Sequence, residues 1–112
     1  MRRAILVWGS VATAALALVP AAAALRGAHA ASSHSVRLEH FAFHPSTLSI
    51  RRGDSVTWLW HDSQEHNVAF NTVHSRTQVH GTFTVRFTRA GTFNYRCTIH
   101  ISEGMRGRII VH

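Results

Sequence analysis

The segment YRCTIHISEGM, residues 95–105, brings together three side chains that can bind a metal ion. It contains Cys97, the single cysteine of the 112-residue chain, and continues through His100 to Met105. A thiolate, an imidazole and a thioether together favour a soft or borderline metal. Because a metal-bound thiolate needs no second cysteine, this chemistry also accounts for the lone thiol.

A second histidine completes a specific donor set. His66 opens the run HNVAF, upstream of Cys97. Two histidines and one cysteine in a trigonal plane, with a weak axial methionine, describe a blue-copper electron-transfer site. A fold of packed strands can bring His66 beside the strand that ends at Cys97, so the sequence predicts that these two residues meet.

From residue 36 onward, short apolar or alternating segments are separated by turn residues. About seven short β-strands are predicted, at residues 36–43, 46–50, 55–60, 66–70, 82–88, 92–97 and 107–112. No segment keeps a helical period over a useful length. Strands that each bury one face predict an all-β fold, a Greek-key antiparallel β-sandwich.

Residues 1–30 have the features of a secretory signal peptide. A positive start is followed by an apolar run and by the small-residue pattern Ala28-His29-Ala30. We predict cleavage after Ala30 and export to the periplasm or the extracytoplasmic face of a bacterial membrane. The alternative is an uncleaved membrane anchor, because the apolar run approaches the length of a spanning helix.

The rest of the chain divides into two parts. Residues 31–35 are small and polar, and are predicted to form a short flexible lead-in. Residues 36–112 are predicted to form one folded domain, since the chain is too short for a second.

The charge of the chain limits its partners. The formal net charge is +7 with histidines counted as neutral, and the chain has arginines but no lysine. This charge favours partners with acidic surfaces. The arginines alternate with apolar residues along predicted strands, without a basic cluster interleaved with aromatics, so nucleic acid is not an expected partner. No His-x-His pair is present, so an enzyme with further copper centres is not expected either.

Four stretches of the sequence resemble the cupredoxins, the small blue copper proteins of the plastocyanin and amicyanin type. They are FAFHPSTLSIRRGDSVTWLW (41–60), HNVAF (66–70), GTFNYRCTIHISEGM (91–105) and GRIIV (107–111). The resemblance implies one copper ion that alternates between Cu(I) and Cu(II). It implies that His66, Cys97 and His100 bind this ion and that Met105 is its axial ligand.

The resemblance also suggests roles for residues around the ligands. Asn67 is expected to tie the two ligand loops together, with Thr98 as its partner. Ile99 and Ile101 flank His100 and are expected to form an apolar docking patch, ordinary packing being the alternative. Arg106, next to Met105, is a further candidate for partner contact.

The expected function is therefore that of an exported one-electron carrier between redox partners. We expect it to act as a monomer and not as an enzyme. The alternative is a protein that binds and delivers copper from the same kind of site. Such a protein needs exchangeable copper, whereas a carrier must retain its ion.

Overall fold

A computed structural model describes residues 29–112 of the chain. Within this part, Ala31–His112 form one compact unit. The predicted signal segment, residues 1–30, lies almost entirely outside the described residues, so its cleavage stays a prediction. No helix between residues 29 and 112 is long and apolar enough to span a bilayer.

Nearly all of the regular secondary structure in the compact unit is β-strand. We number the strands of the described residues in chain order as β1 Ser33–Glu39, β2 Ala42–His44, β3 Thr47–Ile50, β4 Ser55–Trp60, β5 Thr82–Arg86, β6 Gly91–Arg96 and β7 Arg106–Val111. One sheet has the order β2-β1-β4-β5 and the other has the order β3-β7-β6. A single 3-10 turn, Ile101–Glu103, lies between β6 and β7. The all-β sandwich predicted from the strand pattern is confirmed.

The two sheets are mixed, whereas the sequence led us to expect antiparallel pairing throughout. Strand β1 pairs with β4 in parallel, and β3 pairs with β7 in parallel. The other three pairs are antiparallel. The chain passes between sheets after β2, after β3 and after β5, so strands that become neighbours need not be joined by a hairpin.

The predicted first strand, residues 36–43, is two strands in the structure. It is interrupted by a turn in which His40 and Phe41 both have positive φ angles, of 56° and 57°. The turn folds β2 back along β1, and it places the Phe41 ring outside the sheet. Such left-handed conformations are uncommon for residues with a side chain, so the alternating pattern gave no indication of the turn.

The start of β1 also differs from the expectation. Three of the five residues in the predicted lead-in, 33–35, belong to this strand and pair with β4. The buried carboxylate of Asp54 anchors the segment. It accepts hydrogen bonds from the backbone N–H of Ser32 and pairs with the ring of His34, at 2.9 Å in each case.

The predicted strand at residues 66–70 is irregular and forms only isolated bridges. His66 bridges to Gln78, and Ala69 bridges to His74 and Arg96. Between these bridges the backbone donors bind side chains. The N–H of Val68 donates to the hydroxyl of Ser75 at 2.9 Å, for example. A regular β-ladder cannot form along this segment, because these backbone N–H groups already bind side chains.

The core lies between the sheets and extends to the loops at one end. Trp58 and Tyr95 meet edge-on with ring centroids 5.3 Å apart, and Phe43 packs against Tyr95 at 4.6 Å. Cys97 and Met105 are fully buried members of the same cluster. Two of the four predicted ligands therefore belong to the hydrophobic core.

Tyr95 gives a spectroscopic test of this packing, because it is the only tyrosine in the chain. Burial raises its pKa to about 12. In an unfolded chain the pKa of the tyrosine phenol is about 10. The folded protein should therefore lose up to ~1.4 kcal/mol of its free energy of unfolding per pH unit between these two values. Ultraviolet titration and urea unfolding at several alkaline pH values would measure both effects. Ionisation of the native protein at the same pH as the urea-denatured control would contradict the packing.

Candidate metal centre

Three potential ligand side chains converge at one end of the sandwich. The ligand atoms of His66, Cys97 and His100 all lie within 4.8 Å of one another. The Nδ1 atoms of the two histidines are 3.2 Å apart, and Cys97 Sγ is 3.4 Å from Nδ1 of His100. His66 and Cys97 are buried, and His100 is partly exposed. Three of the four residues predicted as ligands are thus brought together.

The backbone of His66 is held from two sides. It exchanges a pair of hydrogen bonds with Gln78, at 3.0 and 3.1 Å. Its carbonyl also accepts a hydrogen bond from the indole of Trp60, at 3.0 Å. Because Trp60 is the last residue of β4, these bonds tie the irregular segment to a regular strand of the first sheet.

Cys97, His100 and Met105 belong to one compact loop that leaves β6 and enters β7. The N–H of His100 donates to the carbonyl of Cys97, and the N–H of Met105 donates to the carbonyl of His100, both at 3.3 Å. The N–H of Cys97 donates in turn to the carbonyl of Met105 at 3.0 Å. Gly104 allows the reversal, since its φ of 77° is unfavourable for other residues.

Met105 is therefore adjacent to Cys97 through the backbone. Its side chain is fully buried in the cluster that contains the cysteine. This position is consistent with an axial thioether, and the axial role stays a prediction.

Asp62 orients the ring of His66, a contact that the sequence analysis missed. Its Oδ1 lies 3.0 Å from Nε2 of His66. A carboxylate acceptor holds the ring proton on Nε2, which leaves the lone pair of Nδ1 directed at Cys97 and His100. Burial lowers the pKa of His66, and the bond to Asp62 opposes part of this effect. The ring is consequently neutral and able to bind a metal near neutral pH.

Asp62 is itself held as a carboxylate. Partial burial raises its pKa, but hydrogen bonds from the backbone N–H groups of Gln64 and His40, together with the pairing with His66, lower the pKa overall. These N–H groups donate at 3.0 Å each. The loop after β4 is thereby fixed to the turn after β1.

Asn67 connects the two segments that carry the converging side chains. Its side-chain oxygen accepts the N–H of Thr98 at 2.9 Å, and its amide donates to the Thr98 hydroxyl at 2.8 Å. The amide also donates to Thr77 at 2.8 Å, a partner that the sequence did not suggest. The backbone N–H of Asn67 points at Cys97 Sγ over 3.4 Å. A donor at this position stabilises negative charge on the sulfur.

Exposed apolar residues lie next to His100, two of them in sequence and one in space. Ile99 and Ile101 are 46% and 40% exposed, and Phe41 is 39% exposed. The Phe41 ring stands edge-on to the His100 ring, with centroids 4.8 Å apart. Arg106 is also exposed. Phe41 was missed as a site residue because only the unusual turn before β2 brings it here.

The donor atoms suit a soft or borderline metal ion. Two imidazole nitrogens and a sulfur at these distances repel one another through their lone pairs unless a cation or a proton lies among them. A thiolate with two imidazoles in a site lined by apolar groups matches the preferences of copper.

Comparison with known proteins identifies the family. The sequence model of the copper-binding proteins of the plastocyanin/azurin family matches residues 30–112. The chain belongs to this family. Membership confirms the resemblance and the expectation of a copper cofactor. It also agrees with the expectation that the protein is not an enzyme.

Individual relatives are moderately similar. The chain is 32% identical over 83 residues to a chloroplastic plastocyanin of Tetradesmus obliquus, in a match that covers 62% of this chain and 57% of that protein. It is 35% identical over 72 residues to an amicyanin of Paracoccus denitrificans, covering 57% and 53%. The chain thus spans little more than half the length of these two proteins. Amicyanin-alpha of Methylorubrum extorquens is 33% identical, covering 72% and 73%.

Solved structures agree on the fold. An oxidised methionine-to-leucine mutant of amicyanin superposes with a TM-score of 0.64 at 27% identity, over 80% of this chain and 89% of that one. A pseudoazurin from Methylobacterium extorquens superposes with a TM-score of 0.62 at 23% identity, over 70% and 74%. The second similarity supports the fold alone.

The Asp62–His66 contact leads to a prediction about the reduction potential of the copper. Asp62→Asn preserves the shape of the side chain but removes a negative charge that favours Cu(II). We expect the potential to rise by an amount on the order of tens of millivolts. Cyclic voltammetry of the copper-loaded protein would measure this change.

Glu65→Gln is the matched control. It removes the same charge from an exposed residue next to His66 in sequence, and its shift should be clearly smaller. Equal shifts in the two variants would mean that the hydrogen bond to His66 has no special effect on the site.

Proposed function

We propose that this protein is a one-electron carrier in which His66, Cys97 and His100 bind a single copper ion and Met105 is the axial ligand. The observation that carries the proposal is the convergence of one sulfur and two imidazole nitrogens within 4.8 Å, at the buried end of the core. When bound, copper supplies the change between Cu(I) and Cu(II).

The surroundings of the ligands favour repeated electron transfer. Asp62 fixes the ring of His66, and Asn67 and Thr98 fix the two ligand segments relative to each other. Such a network holds one ligand geometry for both oxidation states. Little reorganisation of protein or water then accompanies each transfer.

His100 is the proposed point of exchange with a partner. Its ring is partly exposed and contacts Phe41, and the exposed residues Ile99 and Ile101 flank it in sequence. We define these three apolar residues as the docking patch. An apolar surface of this kind excludes water from the contact and brings a partner's redox centre close to the ring.

Burial argues against the alternative role in copper delivery. A delivery protein must expose its ligands to a recipient, but Cys97 and His66 are 0% exposed. The ion would be reached only past His100. Retention of copper suits a carrier better than a donor.

The proposed partners are redox proteins with acidic surfaces, because residues 31–112 contain nine arginines and five acidic residues, a formal charge of +4. We further propose that the protein acts as a monomer outside the cytoplasm, after export directed by residues 1–30. Retention at the membrane applies only if that segment is not removed.

Titration with Cu(II), followed by optical and EPR spectroscopy, tests the ligand assignment. We expect an intense blue thiolate-to-copper absorption band and a narrow copper hyperfine splitting. Cys97→Ala should abolish the band and lower the stability of the copper-loaded protein, because metal binding contributes to the free energy of unfolding. A blue Cys97→Ala variant, or an ordinary tetragonal spectrum of the native protein, would contradict the assignment.

Two substitutions of Met105 test its axial role. Met105→Gln supplies a stronger oxygen ligand and should lower the potential by an amount on the order of 100 mV. Met105→Leu keeps an apolar side chain without a ligand atom and should raise it. If neither variant shifts the potential, Met105 is not axial.

A further inference from the structure

A cleft separate from the ligand loops opens between the free edges of the two sheets. Strand β5 is the last strand of one sheet, and β6 is the last strand of the other. The cleft between them has a volume of about 480 Å³. Part of its wall comes from the connection before β5, at Asn71 and Val73.

The floor of the cleft is aromatic. The Phe70 and Phe87 rings have centroids 6.1 Å apart, and Phe87 and Phe93 have centroids 5.5 Å apart. Phe70 and Phe93 are only partly buried, and Val73 at one wall is 41% exposed. Apolar surface is therefore accessible within the cleft.

The rim of the cleft carries positive charge. Four arginines line it: Arg86, Arg89, Arg96 and Arg106. None of the five acidic residues of the chain is among the lining residues. Within residues 29–112, Arg89, Arg96 and Arg106 form no ion pair. Arg86 donates from Nε to the carbonyl of Gly53 at 3.2 Å. The guanidinium groups of the other three arginines are free of ion pairs in this part of the chain and can attract anions, and their planar donors match carboxylates.

The outer edge of β6 can accept a further strand. Arg96 exchanges two backbone hydrogen bonds with Ala69 on this edge, at 2.8 and 3.1 Å. Alternate residues of a strand direct their backbone groups to the same side, so those of Thr92 and Asn94 also face away from β7. Peptides in an extended conformation bind to edges of this kind.

We propose that the cleft binds an extended acidic segment of the redox partner, in which carboxylates alternate with apolar side chains. The carboxylates pair with the arginines of the rim, the apolar side chains contact the aromatic floor, and the backbone pairs with β6. A small anion would use the charge but neither the floor nor the edge. Because the proposed ligand is a segment of the redox partner, this proposal rests on the proposed function.

Two residues that line the cleft are sequence neighbours of proposed ligands. Arg96 and Arg106 are opposite each other across β6 and β7 and immediately adjoin Cys97 and Met105. A segment bound at the cleft is thereby held next to the loop that carries His100. It would orient the partner while the docking patch makes the closer contact.

Binding can be measured without any electron transfer. The probe is a blocked peptide of alternating Glu and Val, added to the ¹⁵N-labelled Cu(I) protein and followed by NMR chemical shifts. We expect shifts at Thr92, Asn94 and the arginine side chains of the rim. A Lys and Val peptide of equal length should not bind.

Arg89→Glu tests the rim, because Arg89 is exposed and is not adjacent to a proposed ligand. We expect about tenfold weaker binding of the acidic peptide. Arg76→Glu is the matched control, with the same change of charge on an exposed arginine outside the cleft, and should cost much less. Arg89→Gln gives a milder second variant, and the spectrum of each unbound variant checks its fold.

Several results would overturn the inference. They are equal losses for Arg89→Glu and Arg76→Glu, binding of the Lys and Val peptide, and shifts confined to the docking patch. Displacement of the peptide by equimolar inorganic phosphate would identify a small-anion site instead. The blue absorption band and the potential are measured separately, so failure of the cleft proposal is distinguishable from failure of the carrier proposal.

Discussion

The reciprocal hydrogen bonds between Asn67 and Thr98 connect the two halves of the site. His66 lies in an irregular segment that follows a strand of one sheet, while Cys97 follows a strand of the other. Neither sheet alone fixes the distance between them. The side chain of Asn67 spans this gap with bonds of 2.8 and 2.9 Å, and its backbone N–H points at the cysteine sulfur. The geometry of the centre depends on this connection.

The fold and the converging ligands could be predicted because their signals are local. Alternation along β4 and β6 predicts strands without reference to the rest of the chain. The spacing from Cys97 to Met105 likewise belongs to one loop, and a thiol with imidazole and thioether neighbours has few chemical roles. His66 is more distant in sequence, and the donor set itself required a second imidazole.

Other features could not be predicted because they depend on tertiary contacts. Asp62 lies four residues before His66 in sequence, but both are in a loop and not in a helix. The position of the Asp62 carboxylate depends on its hydrogen bond from the backbone N–H of His40. The turn at His40 and Phe41 interrupts an alternating pattern that otherwise continues. The segment from His66 to Phe70 has strand-like composition, but Ser75 and Cys97 take its backbone donors. The parallel strand pairs form because the chain passes from one sheet to the other between the paired strands. A pattern of residues within one strand contains no information about such a passage.

The proposed ligands follow strands of both sheets, which would link metal binding to the lifetime of the protein. Within residues 29–112 the domain has no disulfide, and β5 and β6 are the unpaired terminal strands of its two sheets. An ion held by His66, Cys97 and His100 would cross-link the segments that follow the two sheets, and its binding free energy would add to the stability of the folded chain. Chains without metal would then open more often and be cleaved sooner by proteases. On the proposed ligand set, the supply of copper would therefore govern how many folded copies persist.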